Sequence, residues 1–223
     1  MADYDGFAEK YEKLTEKFEI KTRKHTHSLI KKSLKNKKLL DVGCGPGVDA
    51  KYYNQRGAKV FGIDISKKKI GIANKKVNGN FVVGDMNKLP YKSNTFDIIT
   101  STYSLQNSKN VTKAIKEMIR VAKPKAQILI LTKHPFRNLI EGYVNNKHYN
   151  YYKQGKVISY IFKRQIKLSE PGHTLREYLH PSILKSAKLE FLEEHSDFPL
   201  SEQVIPKLNY PTYIILSLIK NSQ

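Results

Sequence analysis

Apolar positions along the chain change their period repeatedly, and each change marks an element. Phe7, Tyr11, Leu14 and Phe18 recur at spacings of three and four on a charged background, which predicts helix within residues 3–36, with a second short helix from about Thr26 to Leu34. Leu39, Leu40 and Val42 then form an unbroken apolar run, the pattern of a parallel strand covered on both faces. A helix from Asp49 to Gln55 stops at Gly57, and Lys59–Asp64 reads as the next strand. Ser66 offers its hydroxyl as the N-cap of a helix reaching Val77, and Asn78-Gly79 turns the chain into a strand over Asn80–Val83. Phe96–Thr100 is a fourth strand with Ser101–Gln106 as its exit loop. Val111–Val121 is a helix, Pro124 ends that region, and Gln127–Thr132 is a fifth strand. Further on, the alternation in Val157–Leu168 suggests a pair of strands. Pro181–Ala187 reads as a short helix, Leu189–Asp197 as a polar-faced strand and Thr212–Lys220 as an apolar one.

Strands that alternate with helices define a doubly wound α/β fold with a mostly parallel sheet. Right-handed crossovers bring Asp41 with Gly43, Asp64, Asp85 and Ser101–Tyr103 to one edge of that sheet, and ligands of open α/β sheets bind beyond that edge. The length of 223 residues suits one domain. Its expected parts are an N-terminal helical lid over 1–36, a ligand-binding core over 37–135, an insertion over 136–180 and closing strands over 181–223. The insertion sets Tyr143, Tyr149, Tyr151, Tyr152 and Tyr160 among basic residues, at the place where a cover for the pocket is expected.

The net charge of +20 invites a nucleic-acid reading, but 34 of the 40 basic residues are lysines scattered through every segment. Phosphate recognition favours clustered arginine forks, so the charge reads first as compositional bias. No apolar run approaches the roughly 20 residues of a membrane span. The lone Cys44 cannot form an internal disulfide and the first residues carry no apolar signal core, so a cytoplasmic location is expected.

The chemistry concentrates at Asp41-Val42-Gly43-Cys44-Gly45-Pro46-Gly47. Three residues without a Cβ let a ligand approach the main chain, Pro46 stiffens the turn, and the following helix points free N–H groups at the crevice. Asp64 ends the next strand 21 residues beyond Gly43, where a carboxylate can accept from both ribose hydroxyls of an adenosine. The third glycine comes two positions after the second, which departs from the G-x-G-x-x-G of nicotinamide dehydrogenases, and no Gly-Lys-Ser/Thr follows to make a Walker loop.

With LLDVGCGPG at 39–47, FGIDIS at 61–66, VVGDMNKLPY at 82–91, FDIITSTYSLQN at 96–107 and a strand ending in LILTKHP, the chain resembles the class I S-adenosylmethionine-dependent methyltransferases of the type 11 kind. The resemblance implies the seven-stranded Rossmann-like methyltransferase fold, with S-adenosylmethionine as cofactor and S-adenosylhomocysteine as product. Carried onto these residues, it implies that Asp41 and the turn Gly43, Cys44, Gly45 and Gly47 hold the methionine part, with Cys44 serving only as a small residue. Asp64 then takes the ribose, Ile65 and Met86 flank the adenine, Asp85 accepts from its amino group, and Ser101 passes the sulfonium. Tyr4 or Tyr11 is the lid residue expected to reach the cofactor. A general base helps when the acceptor is a hydroxyl or a protonated amine, and Tyr103, His134 and His173 are the candidates. No residue is assigned to a metal. The implied reaction is methyl transfer to an O, N or C nucleophile of a small molecule. An RNA methyltransferase using the basic surface and a non-catalytic cofactor-binding partner subunit are the alternatives.

Overall fold

A computed structural model describes residues 20–145, 149–152, 155–161, 166–196, 205 and 207–222. Tyr4, Tyr11 and the apolar stripe around them lie outside the described residues. Seven strands form one sheet: β1 (Lys38–Val42), β2 (Lys59–Asp64), β3 (Asn80–Val83), β4 (Phe96–Thr102), β5 (Ala122–Lys133), β8 (Ala187–His195) and β9 (Tyr213–Lys220), in the order β3-β2-β1-β4-β5-β9-β8. The first five run parallel, while β9 is antiparallel to both β5 and β8. Strand order reverses between β1 and β4, and the carboxyl ends of these two strands open on the crevice that such a reversal leaves.

Because side chains alternate along a strand, neighbouring residues feed opposite faces of the sheet. Leu39, Val60 and Ile98 pack with Ala50 and Tyr53 of α2 (Val48–Gln55) and with Ile70 and Ala73 of α3 (Lys67–Lys76). Leu40, Val42, Ile99 and Ile128 pack on the other face with Ala114, Ile115 and Met118 of α4 (Val111–Val121). The spacing of α4 puts these three residues on one side of the helix, and the helix is fixed at its start by the Asn110 side chain, which accepts from the Lys113 amide.

Three expectations change. The N-terminal helix α1 spans Ile20–Ser28, and residues 29–37 are irregular where a helix to Leu34 was expected. The cause is tertiary: the Gln127 side chain donates to the Leu29 carbonyl at 3.0 Å and accepts from the Lys31 amide at 3.2 Å, diverting both from helical pairing. Strand β5 begins five residues before Gln127 and carries Pro124 within it; Lys125 takes a φ of 62°, and the pairing with β4 shifts register between Phe96 and Ile98. In addition, Ser101 belongs to β4 and not to its exit loop.

Between β5 and β8 the chain forms α5 (Pro135–Asn145), an antiparallel hairpin of β6 (Lys156–Ile161) and β7 (Ile166–Pro171), then α6 (Leu175–Tyr178) and α7 (Pro181–Leu184). A buried charge cluster ties the hairpin down. Lys133 at the end of β5 reaches Glu141 of α5 at 2.5 Å and Glu170 of β7 at 3.3 Å, and Arg137 Nε reaches Glu141 at 2.8 Å. Among the described residues no helix is long and apolar enough to cross a membrane.

Candidate active site

The glycine turn after β1 is stapled to β2: the amides of Gly43 and Cys44 both donate to the Ile63 carbonyl, at 2.7 and 3.1 Å. Gly43 has a φ of 75°, and a Cβ there would collide with the Ser104 side chain, so the position admits no other residue without displacement. Gly47 caps α2 at φ 89° and leaves the turn in the left-handed conformation that starts the helix across the crevice.

Asp64 is the residue the turn is built around. Its Oδ2 accepts from the Gly45 amide at 2.9 Å and its Oδ1 from the Ser66 amide at 2.9 Å, so two backbone donors fix the carboxylate at the end of β2. A cavity of about 270 Å³ opens beside it. Gly43, Cys44, Gly45, Asp64, Ile65, Asp85, Met86 and Tyr103, all named from the sequence, line this cavity. Asp85 is oriented by Asn87, whose amide and side chain donate to its Oδ1 at 2.8 and 2.9 Å. Tyr103 is held at φ 49° by its amide, which donates to the Leu131 carbonyl at 2.8 Å, an unusual conformation for a tyrosine and one that sits at the mouth of the crevice.

Other sequence-named residues lie off the cavity. Asp41 is buried beneath the turn: Thr100 donates to its Oδ1 at 3.3 Å, while Oδ2 has no hydrogen-bond partner. Burial first, and then the neighbouring Asp49 charge, raise the Asp41 pKa well above the usual carboxylate range. Ser101 does not face the crevice. Its hydroxyl lies 2.5 Å from that of Ser104 and 3.0 Å from the Val42 carbonyl, which makes it a brace between β4 and β1; Thr102, Tyr103 and Ser104 line the cavity in its place. His134 spends both ring nitrogens elsewhere: Nε2 on Glu194 at 2.8 Å and Nδ1 accepting from the Phe136 amide at 3.0 Å, at the start of α5. Burial lowers its pKa, although Glu194 pulls the other way. His173 is buried edge-on to Tyr178, with Nδ1 3.5 Å from Glu177, and it does not line the cavity. Burial, with Asp41 next, pushes the Cys44 thiol up, which suits a small inert residue.

The sequence reading missed the far wall. Arg23 of α1 and Asp49 of α2 line the cavity and pair with each other, and His27 Nε2 joins Asp49 Oδ1 at 2.8 Å. Burial of Asp49 would raise its pKa, but the Arg23 charge and the His27 hydrogen bond outweigh it and hold it at about 2. Lys109 contributes from the loop before α4, and Lys156, Ser169 and Pro171 contribute from the hairpin. The i, i+4 spacing of Arg23 and His27 was a usable signal for a shared helix face.

A mostly parallel sheet of this order, with a glycine turn and carboxylates at strand tips, is the architecture of nucleotide-binding α/β folds. The family described as "Methyltransferase domain" matches residues 40–130. The chain is 30% identical to a demethylmenaquinone methyltransferase of Thermotoga maritima over 196 residues, covering 82% of this chain and 80% of that one. It is 39% identical to norajmaline N-methyltransferase of Rauvolfia serpentina over 117 residues, which span 48% of this chain and 39% of that one. Its fold matches the geranyl diphosphate C-methyltransferase of Streptomyces coelicolor, solved with S-adenosyl-L-homocysteine, at a TM-score of 0.67 and 13% identity over 91% of this chain and 80% of that one. The chain belongs to the class I S-adenosylmethionine-dependent methyltransferases, and S-adenosylmethionine is its cofactor. The residues present fit that group: a Cβ at Gly45 would meet only the flexible Lys69 side chain, at 3.9 Å, and Asp41 keeps an unpartnered acceptor under the turn.

Proposed function

We propose that this methyltransferase acts on a small molecule, transferring the methyl group to an O, N or C nucleophile held between the strand ends and the β6–β7 hairpin. The observation that carries the cofactor half is the Asp64 carboxylate, fixed by the Gly45 and Ser66 amides at the cavity wall. Its remaining lone pairs accept from the ribose hydroxyls of the cofactor, and the two backbone donors that already hold the carboxylate support this reading. Asp85 takes the adenine amino group, with Ile65 and Met86 on the ring faces. Asp41 acts on the methionine end from beneath the turn, through the Gly43–Gly47 backbone rather than by direct contact.

Bound cofactor supplies a methyl already activated on a sulfonium, so the protein's part is to bind, align and exclude water. Tyr103 is the candidate group nearest the acceptor, because it alone of the three sequence-named bases lines the cavity. His134 takes no part in the transfer and braces the start of α5 against β8. His173 is likewise assigned to packing. Similarity to a demethylmenaquinone methyltransferase and to norajmaline N-methyltransferase supports a small-molecule acceptor.

Calorimetry with S-adenosylhomocysteine tests the seat. Asp64→Ala is expected to cost about 1.5–3 kcal/mol of binding, or roughly 10- to 150-fold in Kd, because a charge-assisted acceptor is lost. Unchanged affinity would remove Asp64 from the site. Turnover over a panel of quinols, amines and carboxylic acids reads the acceptor class, and salt-sensitive retention of bulk RNA would favour the RNA reading instead.

A further inference from the structure

On the side of α1 away from the cavity, three metal-ligating side chains meet. Glu193 and His195 stand two apart on β8, so the pleat sends both to one face of this edge strand. His25 reaches them from α1. His25 Nε2 lies 2.7 Å from Glu193 Oε2, and His195 Nε2 lies 3.0 Å from the same oxygen. All three ligand atoms fall within 4.8 Å of one another. The rings are oriented by their neighbours: His195 stacks on Tyr213 at 5.3 Å with 17° between planes, and His25 meets His195 edge-on at 5.2 Å. Side-chain exposures of 40% for His25, 30% for Glu193 and 39% for His195 leave the cluster open to an ion from solvent.

We propose that His25, Glu193 and His195 form a three-ligand site for a divalent transition metal of the Zn²⁺ class. Two imidazole nitrogens and one carboxylate oxygen are the donor set that such ions prefer, and they discriminate against Mg²⁺ and Ca²⁺, which take oxygen. With bonds of about 2.0–2.2 Å, tetrahedral ligand atoms stand roughly 3.3 Å apart, so the ion enters as the two Glu193 contacts widen from 2.7 and 3.0 Å to that spacing and the two imidazole nitrogens, within 4.8 Å of each other, settle to it. Three protein ligands leave a fourth position to water. A metal here fastens α1 to the edge strand, in parallel with the Lys31–Glu190 ion pair at 2.9 Å from the irregular segment that follows α1. The opposite side of α1 carries Arg23 and His27, which hold Asp49 at the cavity wall, so the clamp sits behind the wall of the active site.

The test is calorimetric titration of Zn²⁺ into tag-free, cofactor-free protein, with thermal unfolding followed in parallel. One equivalent is expected to bind and to raise the Tm, while Mg²⁺ at the same concentration does neither. His195→Ala and His25→Ala are each expected to weaken Zn²⁺ binding by at least about 100-fold, the upper end of what loss of a mere supporting partner does. His180→Ala, at a histidine that caps α7, is expected to bind as the parent does. Circular dichroism establishes that each variant is folded. Failure of the parent protein to take up Zn²⁺ at millimolar excess, or full retention of binding in folded His195→Ala, overturns the site. Because no cofactor is present, the outcome is independent of the role assigned to Asp64.

Discussion

Asp41 and Asp64 end adjacent strands, yet their surroundings differ in kind. Asp64 is half-buried with two amides on its oxygens, whereas Asp41 is sealed beneath the turn with one oxygen unpartnered. Its raised pKa means that folding disfavours the charged form. The stability it contributes is present at low pH and is lost as pH rises through the folded pKa. Asp41→Asn removes that charge with little change of shape. At neutral pH the variant is therefore expected to match or exceed the parent in Tm without ligand, while any loss of S-adenosylhomocysteine affinity stays below that of Asp64→Ala, because Asp41 lies under the turn and off the cavity. A lower Tm with unchanged affinity would make Asp41 a structural residue only. Strand-tip carboxylates are legible from sequence because periodicity locates strand ends, and this is how Asp64 and Asp85 were found. Burial is not legible in the same way. Nothing in the order of residues distinguished Ser101, which braces two strands, from Thr102 and Ser104, which line the crevice.

At the scale of elements, a helix start and a ligand site share one residue. Ser66 caps α3, its hydroxyl accepting from the Lys69 amide at 3.1 Å, while its own amide donates to Asp64. Ser66→Ala removes the cap but keeps the amide. It is expected to cost about 1 kcal/mol of stability, a fall of roughly 2–4 °C in Tm, with S-adenosylhomocysteine affinity nearly unchanged. Scanning calorimetry and titration of one sample check both; a parallel loss of affinity would show that the cap also orders the carboxylate. Elements whose pattern is local were read to the residue: Lys59–Asp64, Asn80–Val83 and Val111–Val121 stand where the apolar period put them. Those that failed were decided by distant partners. Gln127, about 100 positions along the chain, ends the helical character after Ser28, and Pro124 is tolerated inside β5 because it falls at the register shift between Ala122 and Gln127, where no ladder pairing is required of it. The wall formed by Arg23 and the hairpin was hidden for the same reason, since only the closed fold brings residues 23, 49 and 156 to one cavity.

Across the whole molecule, two buried carboxylates hold the parts that flank the sheet, and both respond to acid in the same direction. Asp49 joins α1 to α2 through Arg23, and Glu141 joins α5 to β5 through Lys133, which in turn reaches the hairpin at Glu170. Burial alone would raise the Glu141 pKa, but Arg137 and Lys133 more than offset it and hold it at about 2, as Arg23 does for Asp49. Both folded-state values lie below those of the unfolded chain. The stability they contribute is therefore complete above about pH 4.5 and is lost as pH falls towards about 2. Protonation also leaves the 40 basic residues less balanced by charge of opposite sign, so self-repulsion adds to the loss. Thermal unfolding as a function of pH is expected to show a steep fall in Tm over this window. Added salt recovers the part due to surface repulsion but not the part due to the buried pairs. Glu141→Gln separates the two contributions. At pH 7 it leaves Lys133 and Arg137 buried without their shared partner and is expected to cost about 3–5 kcal/mol. Over the acid window its Tm should fall less steeply than the parent's, because one titrating group is gone. Parallel slopes for the two proteins would mean that the Glu141 cluster does not drive acid unfolding, and would leave Asp49 and the general charge excess as its causes.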